Sequence, residues 1–175
     1  MLEIVDRDSP VAILDLGTGS GAILLALLSQ LPNAVGVGVD VSADAIATAA
    51  ANARRLGLET RASFAVGNWA SGLTTEFAIV VSNPPYIAHG EIAGLPVEVR
   101  DYDPHISLDG GDDGLDAIRA ILSDLDRVLA EGGAAFVEIG FGQADAVARL
   151  AANHGFRTSF RRDLAGIERV ALLSR

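Results

Sequence analysis

The residues best suited to chemistry in this chain are Asn83, Pro84, Pro85 and Tyr86, which follow the strand-like segment 77–82. Loops at strand ends are where a scaffold commonly carries its functional groups. The side-chain carbonyl of Asn83 and the main-chain carbonyl of Pro84 can each accept one N–H of an NH2 group. Pro85 fixes its own φ and restricts the backbone of Pro84, which sets the direction of that carbonyl. The tetrapeptide therefore predicts a catalytic site for a planar NH2 nitrogen.

An amide or exocyclic adenine nitrogen is a poor nucleophile, because its lone pair is delocalised into the neighbouring π system. Two acceptors that hold its N–H groups direct the lone pair at an electrophile and stabilise the positive charge that develops on nitrogen. Tyr86 offers a flat face for the substrate amide. No general base is needed before the new bond forms, and the proton can leave to solvent afterwards.

A glycine-rich turn predicts a cofactor site near the start of the chain. Asp15 is followed by Gly17, Thr18, Gly19 and Gly21, between a strand-like and a helix-like segment. Glycines allow a tight turn and a close approach of a nucleotide-type ligand to the main chain. A pyrophosphate would be repelled by Asp15 at this position.

Four further residues extend the predicted cofactor site along the same edge of the sheet. Asp40 ends the second strand nineteen residues after Gly21, close to the spacing of about 20 residues at which a carboxylate accepts from ribose hydroxyls. Val41 follows it, and Asn68 and Trp69 come after the third strand. An amide can hydrogen-bond the adenine edge, and an indole can stack on the ring.

The composition excludes several classes of protein. The formal charge of −10 argues against neutralisation of nucleic-acid phosphates, so we expect no direct nucleic-acid partner. Cysteine is absent and the three histidines show no ligand spacing, so we expect no metal. No apolar run is long enough to span a bilayer, and no signal sequence is evident, so we expect a cytoplasmic protein that does not bind membranes.

The elements that must position these residues alternate between short apolar segments and longer amphipathic ones, which is typical of parallel strands joined by crossover helices. Pro32, Ser42 and Gly57 are suitable helix boundaries, and glycines at 36 and 38 predict close approach of another element. Strands are predicted at 11–15, 34–40, 61–67, 77–82, 134–139, 156–160 and 167–173. Helices are predicted at 20–31, 43–56, 112–130, where Gly132-Gly133 ends the helix, and 143–154, with a long functional loop at 83–111. The fold class is α/β, a doubly wound sheet.

Two levels of resemblance follow from these motifs. The glycine-rich turn resembles that of class I S-adenosylmethionine methyltransferases, which implies a Rossmann-like, seven-stranded domain whose last strand is antiparallel. The chain as a whole resembles the bacterial N5-glutamine methyltransferases that modify peptide chain release factors. The shared segments are ILDLGTGSG at 13–21, GVDVS at 38–42, SNPPYI at 82–87, RDYDPH at 100–105, LDGGDDGLD at 108–116, EIG at 138–140 and DLAGIERV at 163–170.

The resemblance implies S-adenosyl-L-methionine as cofactor and S-adenosyl-L-homocysteine as product. It implies that Asn83 and the Pro84 carbonyl hold the glutamine amide of a Gly-Gly-Gln motif, and that Asp15, Gly17, Asp40 and Asn68 line the cofactor. The alternatives are N5-methylation of a ribosomal-protein glutamine, N6-methylation of adenine in nucleic acid, and a non-catalytic relative that binds the same cofactor.

Two departures from the family pattern concern substrate binding and the adenine site. Family members carry an N-terminal helical domain that helps to grip the protein substrate, whereas this sequence begins about ten residues before its first strand. We therefore expect residues 1–175 to form a single catalytic domain without that part, and a monomer. Asn68 stands where many relatives have an acidic residue, so it can accept from the adenine amine without a charge.

Overall fold

The computed structural model describes residues 7–100 and 104–175, so Asp101 to Asp103 of the RDYDPH segment lie outside the described residues. One mixed sheet runs through the domain in the order β3-β2-β1-β4-β5-β7-β6. Its strands are β1 (Ala12–Leu16), β2 (Val35–Asp40), β3 (Ala62–Val66), β4 (Phe77–Ser82), β5 (Leu129–Glu138), β6 (Arg157–Arg162) and β7 (Glu168–Ser174). β7 runs antiparallel to both of its neighbours, and the other pairings are parallel. The predicted doubly wound sheet with an antiparallel last strand is confirmed.

Helices cover both faces of the sheet. They are α1 (Ala22–Gln30), α2 (Ala43–Arg55), α3 (Val97–Arg100), α4 (Asp116–Val128) and α5 (Ala144–Asn153), with short 3-10 turns at His89–Gly94 and His105–Ser107. Alternate residues of each central strand point to opposite faces. In β1, Ile13 packs with α1 residues such as Leu24, whereas Leu14 packs with α4 residues such as Ile118. The core is therefore divided into two buried layers by the sheet.

Several helices begin or end where capping residues and proline in the sequence predict it. Ser42 caps α2 through a hydrogen bond from the Ala45 amide to its Oγ (3.2 Å), and Gly57 adopts the left-handed conformation with a φ of +67°. α1 ends at Gln30, two residues before Pro32. The close approach predicted at Gly36 is confirmed, since a Cβ there would lie 2.4 Å from Leu24 Cδ1.

Two predicted helix starts are too early. α1 begins at Ala22 rather than 20, because Gly21 has a φ of +80° and cannot continue a right-handed helix toward the N-terminus. α4 begins at Asp116 rather than 112, because Gly114 is left-handed, with a φ of +73°. The amphipathic pattern predicted both helices but not their first turns.

The predicted end of α4 is also wrong. Gly132 and Gly133 lie inside β5, and the helix ends at Val128 because Leu129 is already extended and pairs with Phe77. The register between β4 and β5 shifts after this pair, and Gly132, with a φ of +72°, lies in the irregular segment. The predicted loop 83–111 likewise contains α3 and both 3-10 turns.

Candidate active site

The two predicted chemical loops begin at neighbouring strand ends. β1 lies between β2 and β4, and the chain winds outward in opposite directions from β1 and β4. Leu16 pairs with Ser82 at the carboxyl ends of these strands, and the buried Ser82 hydroxyl donates to the Leu16 carbonyl at 2.7 Å. Crevices at such switch points are the usual ligand sites of open α/β sheets. The glycine-rich turn and the tetrapeptide therefore face the same crevice.

The glycine-rich turn is attached to the end of β2 by its own backbone. The amides of Gly17 and Thr18 both donate to the Val39 carbonyl, at 2.8 and 3.0 Å, and the Gly19 amide donates to Asp40 Oδ2 at 2.8 Å. Gly17 and Gly19 have φ values of +70° and +54°, in the left-handed region that favours glycine. The turn thus has a fixed shape with no side chain between its backbone and the crevice.

Asp40 connects this turn to the next helix. Its Oδ1 accepts from the Ser42 amide at 2.9 Å while its Oδ2 holds Gly19, and the residue is half-buried at the edge of the crevice. A carboxylate has about four lone-pair sites, so two remain for ligand hydroxyls. The predicted ribose role is compatible with this geometry.

Asp15 is a buried acid beneath the glycine-rich turn, with 1 % of its surface exposed. Its Oδ2 accepts from the Thr18 hydroxyl at 2.7 Å, and its Oδ1 is buried without a hydrogen-bond partner among the described residues. Burial raises the pKa of Asp15 to about 6; the Thr18 hydrogen bond opposes this shift, and the charge of Asp40 adds to it. A cation bound next to the turn would favour the ionised form of Asp15.

A cavity of about 410 Å³ occupies the crevice, within the range of small-molecule sites. It is bounded by the glycine-rich turn and the ends of β2 and β3 on one side, and by the loop after β4 on the other. Eight of the predicted residues line it: Gly17, Gly19, Asp40, Val41, Asn68, Trp69, Asn83 and Pro85. The structure thus brings both predicted halves of the site into one cavity.

The other five predicted residues do not line this cavity. Asp15 and Thr18 lie buried behind the glycine-rich turn. Gly21 allows α1 and α2 to approach, since a Cβ there would be 3.1 Å from Ala49 Cβ. Pro84 is buried and Tyr86 is half-buried toward β5.

Trp69 and Asn68 form the wall where the adenine is expected. Trp69 has a φ of +50°, a conformation that is a genuine outlier for a bulky side chain, and strain of this kind clusters at ligand sites. Its Cζ3 lies 3.5 Å from the position that a Cβ on Gly17 would take, so the indole covers the turn. The side-chain polar atoms of both residues make no hydrogen bond to the described part of the chain.

The tetrapeptide presents two free acceptors. Within residues 7–100 and 104–175, the side chain of Asn83 makes no hydrogen bond and the carbonyl of Pro84 accepts none. Pro84 is buried, so its position is fixed by packing. Of the two residues, Asn83 lines the cavity and Pro84 does not, so the binding of one NH2 group by both oxygens stays a prediction.

Tyr86 makes a long contact with the end of β5. Its hydroxyl donates to Glu138 Oε1 at 3.4 Å. Burial, and then the charge of Glu138, raise the pKa of the Tyr86 phenol. The phenol is therefore protonated at neutral pH, and Tyr86 presents a ring rather than a base.

Sequence reasoning missed the wall formed by the segment 106–117. The residues concerned are Ile106, Ser107, Asp109, Asp116 and Ala117. The segment reaches the cavity because its backbone pairs with the loop after β4: the Ile87 amide donates to Leu108 O (3.1 Å), and the Gly110 amide donates to Ile87 O (2.8 Å). The glycines at 110–114 signalled a turn, but no periodic pattern showed which side chains it presents.

Two further findings concern the described residues alone. No three His, Cys, Asp or Glu side chains among them come together in a group that could hold a metal ion. None of the helices in these two ranges has the length and apolar character required to cross a membrane.

Comparisons with known proteins show the family of the chain. The family model described as "Methyltransferase domain" matches residues 7–138. The "Release factor glutamine methyltransferase" of Rhodospirillum rubrum is 49% identical over 164 residues, which are 93% of this chain and 50% of that protein. Its namesake from Agrobacterium fabrum is 47% identical over 99% of this chain and 60% of its own length. The chain thus spans about half to three-fifths of the length of these relatives. Their printed name is that of the family that the motifs of this chain resemble.

A solved structure supports the fold. The O-methyltransferase NcsB1 from neocarzinostatin biosynthesis, crystallised with S-adenosylmethionine and a naphthoic acid, matches with a TM-score of 0.67 at 20% identity. The match covers 98% of this chain and 51% of that one.

The buried acid predicts a specific pH dependence of stability. The free carboxyl of an unfolded chain has a pKa of about 3.9, and burial raises the pKa of Asp15 in the folded chain to about 6. The stability contributed by protonated Asp15 is therefore full below about pH 4 and is lost as the pH rises through 6. We expect Asp15→Asn to gain about 2–3 kcal/mol in free energy of unfolding, relative to wild type, between pH 4 and pH 8.

Urea denaturation at a series of pH values measures this difference. Asp44→Asn, on the exposed face of α2, is the control and should show no such trend. A difference between Asp15→Asn and wild type that stays constant with pH would contradict the prediction.

Proposed function

The chain belongs to the methyltransferase domain family, and on this premise we propose that it transfers a methyl group from S-adenosyl-L-methionine to a glutamine side-chain amide nitrogen of a peptide chain release factor. The observation that carries the proposal is the position of Asn83, which lines the same cavity as the glycine-rich turn and whose side chain makes no hydrogen bond within the described residues. The names of the similar proteins from Rhodospirillum rubrum and Agrobacterium fabrum support the choice of acceptor.

The residues present fit the proposed cofactor. The cavity has room for it, the turn at Gly17 and Gly19 offers bare backbone, and the unpartnered Oδ1 of Asp15 favours positive charge nearby. Asp40 would accept from the ribose hydroxyls, and Asn68 and Trp69 would hold the adenine. When bound, the cofactor would supply an electrophilic methyl group on a positively charged sulfur, which would keep the electron pair of the broken carbon–sulfur bond and leave as a neutral thioether.

The chain's own contribution to the reaction is positioning and electrostatics. Asn83 Oδ1 and the Pro84 carbonyl each accept one N–H of the glutamine amide, so its lone pair points into the crevice. The same two oxygens stabilise the positive charge that grows on nitrogen as it forms its bond to carbon. The nitrogen then loses one proton to solvent. Tyr86, held protonated, provides a flat apolar face and takes no proton.

The choice of the release factor as acceptor protein is supported by the names of the similar proteins. The chain spans 50% and 60% of the two relatives described above. We assign the glutamine of the Gly-Gly-Gln loop of the release factor as the methylated residue.

Methyl-labelled S-adenosylmethionine and a purified release factor test the acceptor. We expect label in the factor and none in its Gln→Ala variant in the Gly-Gly-Gln loop. Equal labelling of both factors would overturn the glutamine assignment. Labelling of a ribosomal protein or of adenine in nucleic acid instead would identify a different acceptor, and absence of cofactor binding by calorimetry would overturn the methyltransferase proposal.

Asn83→Ala separates acceptor chemistry from cofactor binding. We expect kcat to fall about 10²–10³-fold, as when one preorganised hydrogen-bonding group is lost, with the cofactor Kd changed by less than about threefold. Asn153→Ala, at the exposed end of α5, is the control and should leave both unchanged. Equal losses in kcat and in cofactor affinity would mean that Asn83 acts structurally.

Asp40→Ala should weaken cofactor binding more than it slows turnover, which is the reverse of the result expected for Asn83→Ala. The change removes the acceptor of the Gly19 and Ser42 amides and the proposed ribose contact, so we expect the cofactor Kd to rise about 10–100-fold. Calorimetry measures this, with Asp44→Ala as the control. A variant that binds cofactor as tightly as wild type but turns over slowly would contradict the role of Asp40.

A further inference from the structure

The side chain of Gln143 lies outside the cavity and joins three loops. Its Nε2 donates to the carbonyls of Tyr86 (3.0 Å) and Gly114 (3.1 Å), and its Oε1 accepts from the Gly140 amide (2.8 Å). A primary amide has two N–H groups, and here each can serve one carbonyl. Gln143 immediately precedes α5, and its side chain holds the loop that follows β4.

Two glycines make this arrangement possible. A Cβ on Gly114 would lie 2.4 Å from the Tyr86 carbonyl oxygen and 2.8 Å from Gln143 Nε2. A Cβ on Gly140 would lie 2.9 Å from Gln143 Oε1 and 3.1 Å from the Tyr86 ring. The amide therefore sits in a closely packed junction that leaves no room for a side chain on either glycine.

The junction supports the far end of the tetrapeptide. β4 ends at Ser82, and the next backbone pairing begins at Ile87. Apart from the pairing of β4 within the sheet, the described residues show one hydrogen bond at a main-chain atom of residues 83–86, which is the bond from Gln143 to the Tyr86 carbonyl. The prolines limit rotation inside the tetrapeptide, β4 fixes its first end, and Gln143 fixes its last.

The junction also reaches the opposite wall of the cavity. Gly114 lies two residues before Asp116 and three before Ala117, both of which line the cavity. By holding the Tyr86 and Gly114 carbonyls together, Gln143 fixes the loop after β4 against the start of α4.

We propose that Gln143 is a positioning residue for the acceptor amide. Its side chain fixes the peptide that follows Tyr86, and with it the direction of the Pro84 carbonyl and of the Tyr86 ring. This inference rests on the proposed function of Asn83 and Pro84. Displacement of a reacting group by about 1 Å can cost about 10²-fold in rate, so a residue outside the cavity can control turnover through this loop.

Gln143→Glu tests the proposal, because it keeps the size of the side chain and replaces the two N–H donors by an oxygen that repels both carbonyls. We expect kcat for transfer to the release factor to fall about 10–100-fold, with the cofactor Kd changed by less than about threefold. Gln30→Glu is the matched control: Gln30, the only other glutamine of the chain, lies at the end of α1 and should give wild-type values. Gln143→Met, which lacks both charge and donors, replaces Gln143→Glu if that variant does not fold.

A second measurement does not depend on activity. We expect the ¹⁵N order parameter of the Tyr86 amide to fall from the value of rigid backbone, about 0.85, toward about 0.6 in the Gln143 variants only. Unchanged kcat, equal losses in kcat and cofactor affinity, or an unchanged order parameter would each overturn the inference. If wild type itself does not label the glutamine, the proposed function fails and the order parameter alone decides the role of Gln143.

Discussion

The site depends on one constraint, the pairing of the carboxyl ends of β1 and β4. Leu16 and Ser82 are partners in the sheet, and the Ser82 hydroxyl closes a buried hydrogen bond to the Leu16 carbonyl. Such a bond contributes about 1 kcal/mol, so the pairing is held mainly by the apolar packing of neighbours such as Leu14 and Val80 on either side. Because β1 leads into the glycine-rich turn and β4 into the tetrapeptide, the two loops meet wherever these strands end.

Electrostatics at this crevice favour a cation. Asp15 is buried, with one oxygen that has no hydrogen-bond partner among the described residues, and Asp40, Asp109 and Asp116 line the cavity in a chain of formal charge −10. A phosphate would be repelled by these carboxylates, although glycine-rich turns before a helix commonly bind phosphate. Asp15, which precedes the first glycine, therefore favours a cationic ligand over a pyrophosphate at this turn.

Local signals in the sequence were sufficient to place the glycine-rich turn beside Asp40 and to predict most of the sheet. Gly17, Gly19 and Asp40 lie within one turn and one adjacent strand end, so their spacing reports their geometry directly. The start and end of α4 could not be predicted in the same way. They depend on the left-handed backbone at Gly114 and on the pairing of Leu129 with Phe77, and the second of these is a contact distant in sequence.

The part of the site around Asn83 is assembled from contacts distant in sequence. For this reason the wall formed by the segment 106–117 was not predicted. The same contacts can provide selectivity between planar nitrogens. Gln143 reaches Tyr86 across 57 positions, and His89 pairs with Asp109 across 20. Asn83 and Pro84 supply acceptors that suit any planar NH2 group, so they do not by themselves select a glutamine over an adenine. The selective surface must therefore lie in the groups that surround them, and in the described part of the chain these are Tyr86 and the segment 106–117. In the proposed function, the tetrapeptide determines the chemistry, and the tertiary contacts that orient it determine which nitrogen can reach it.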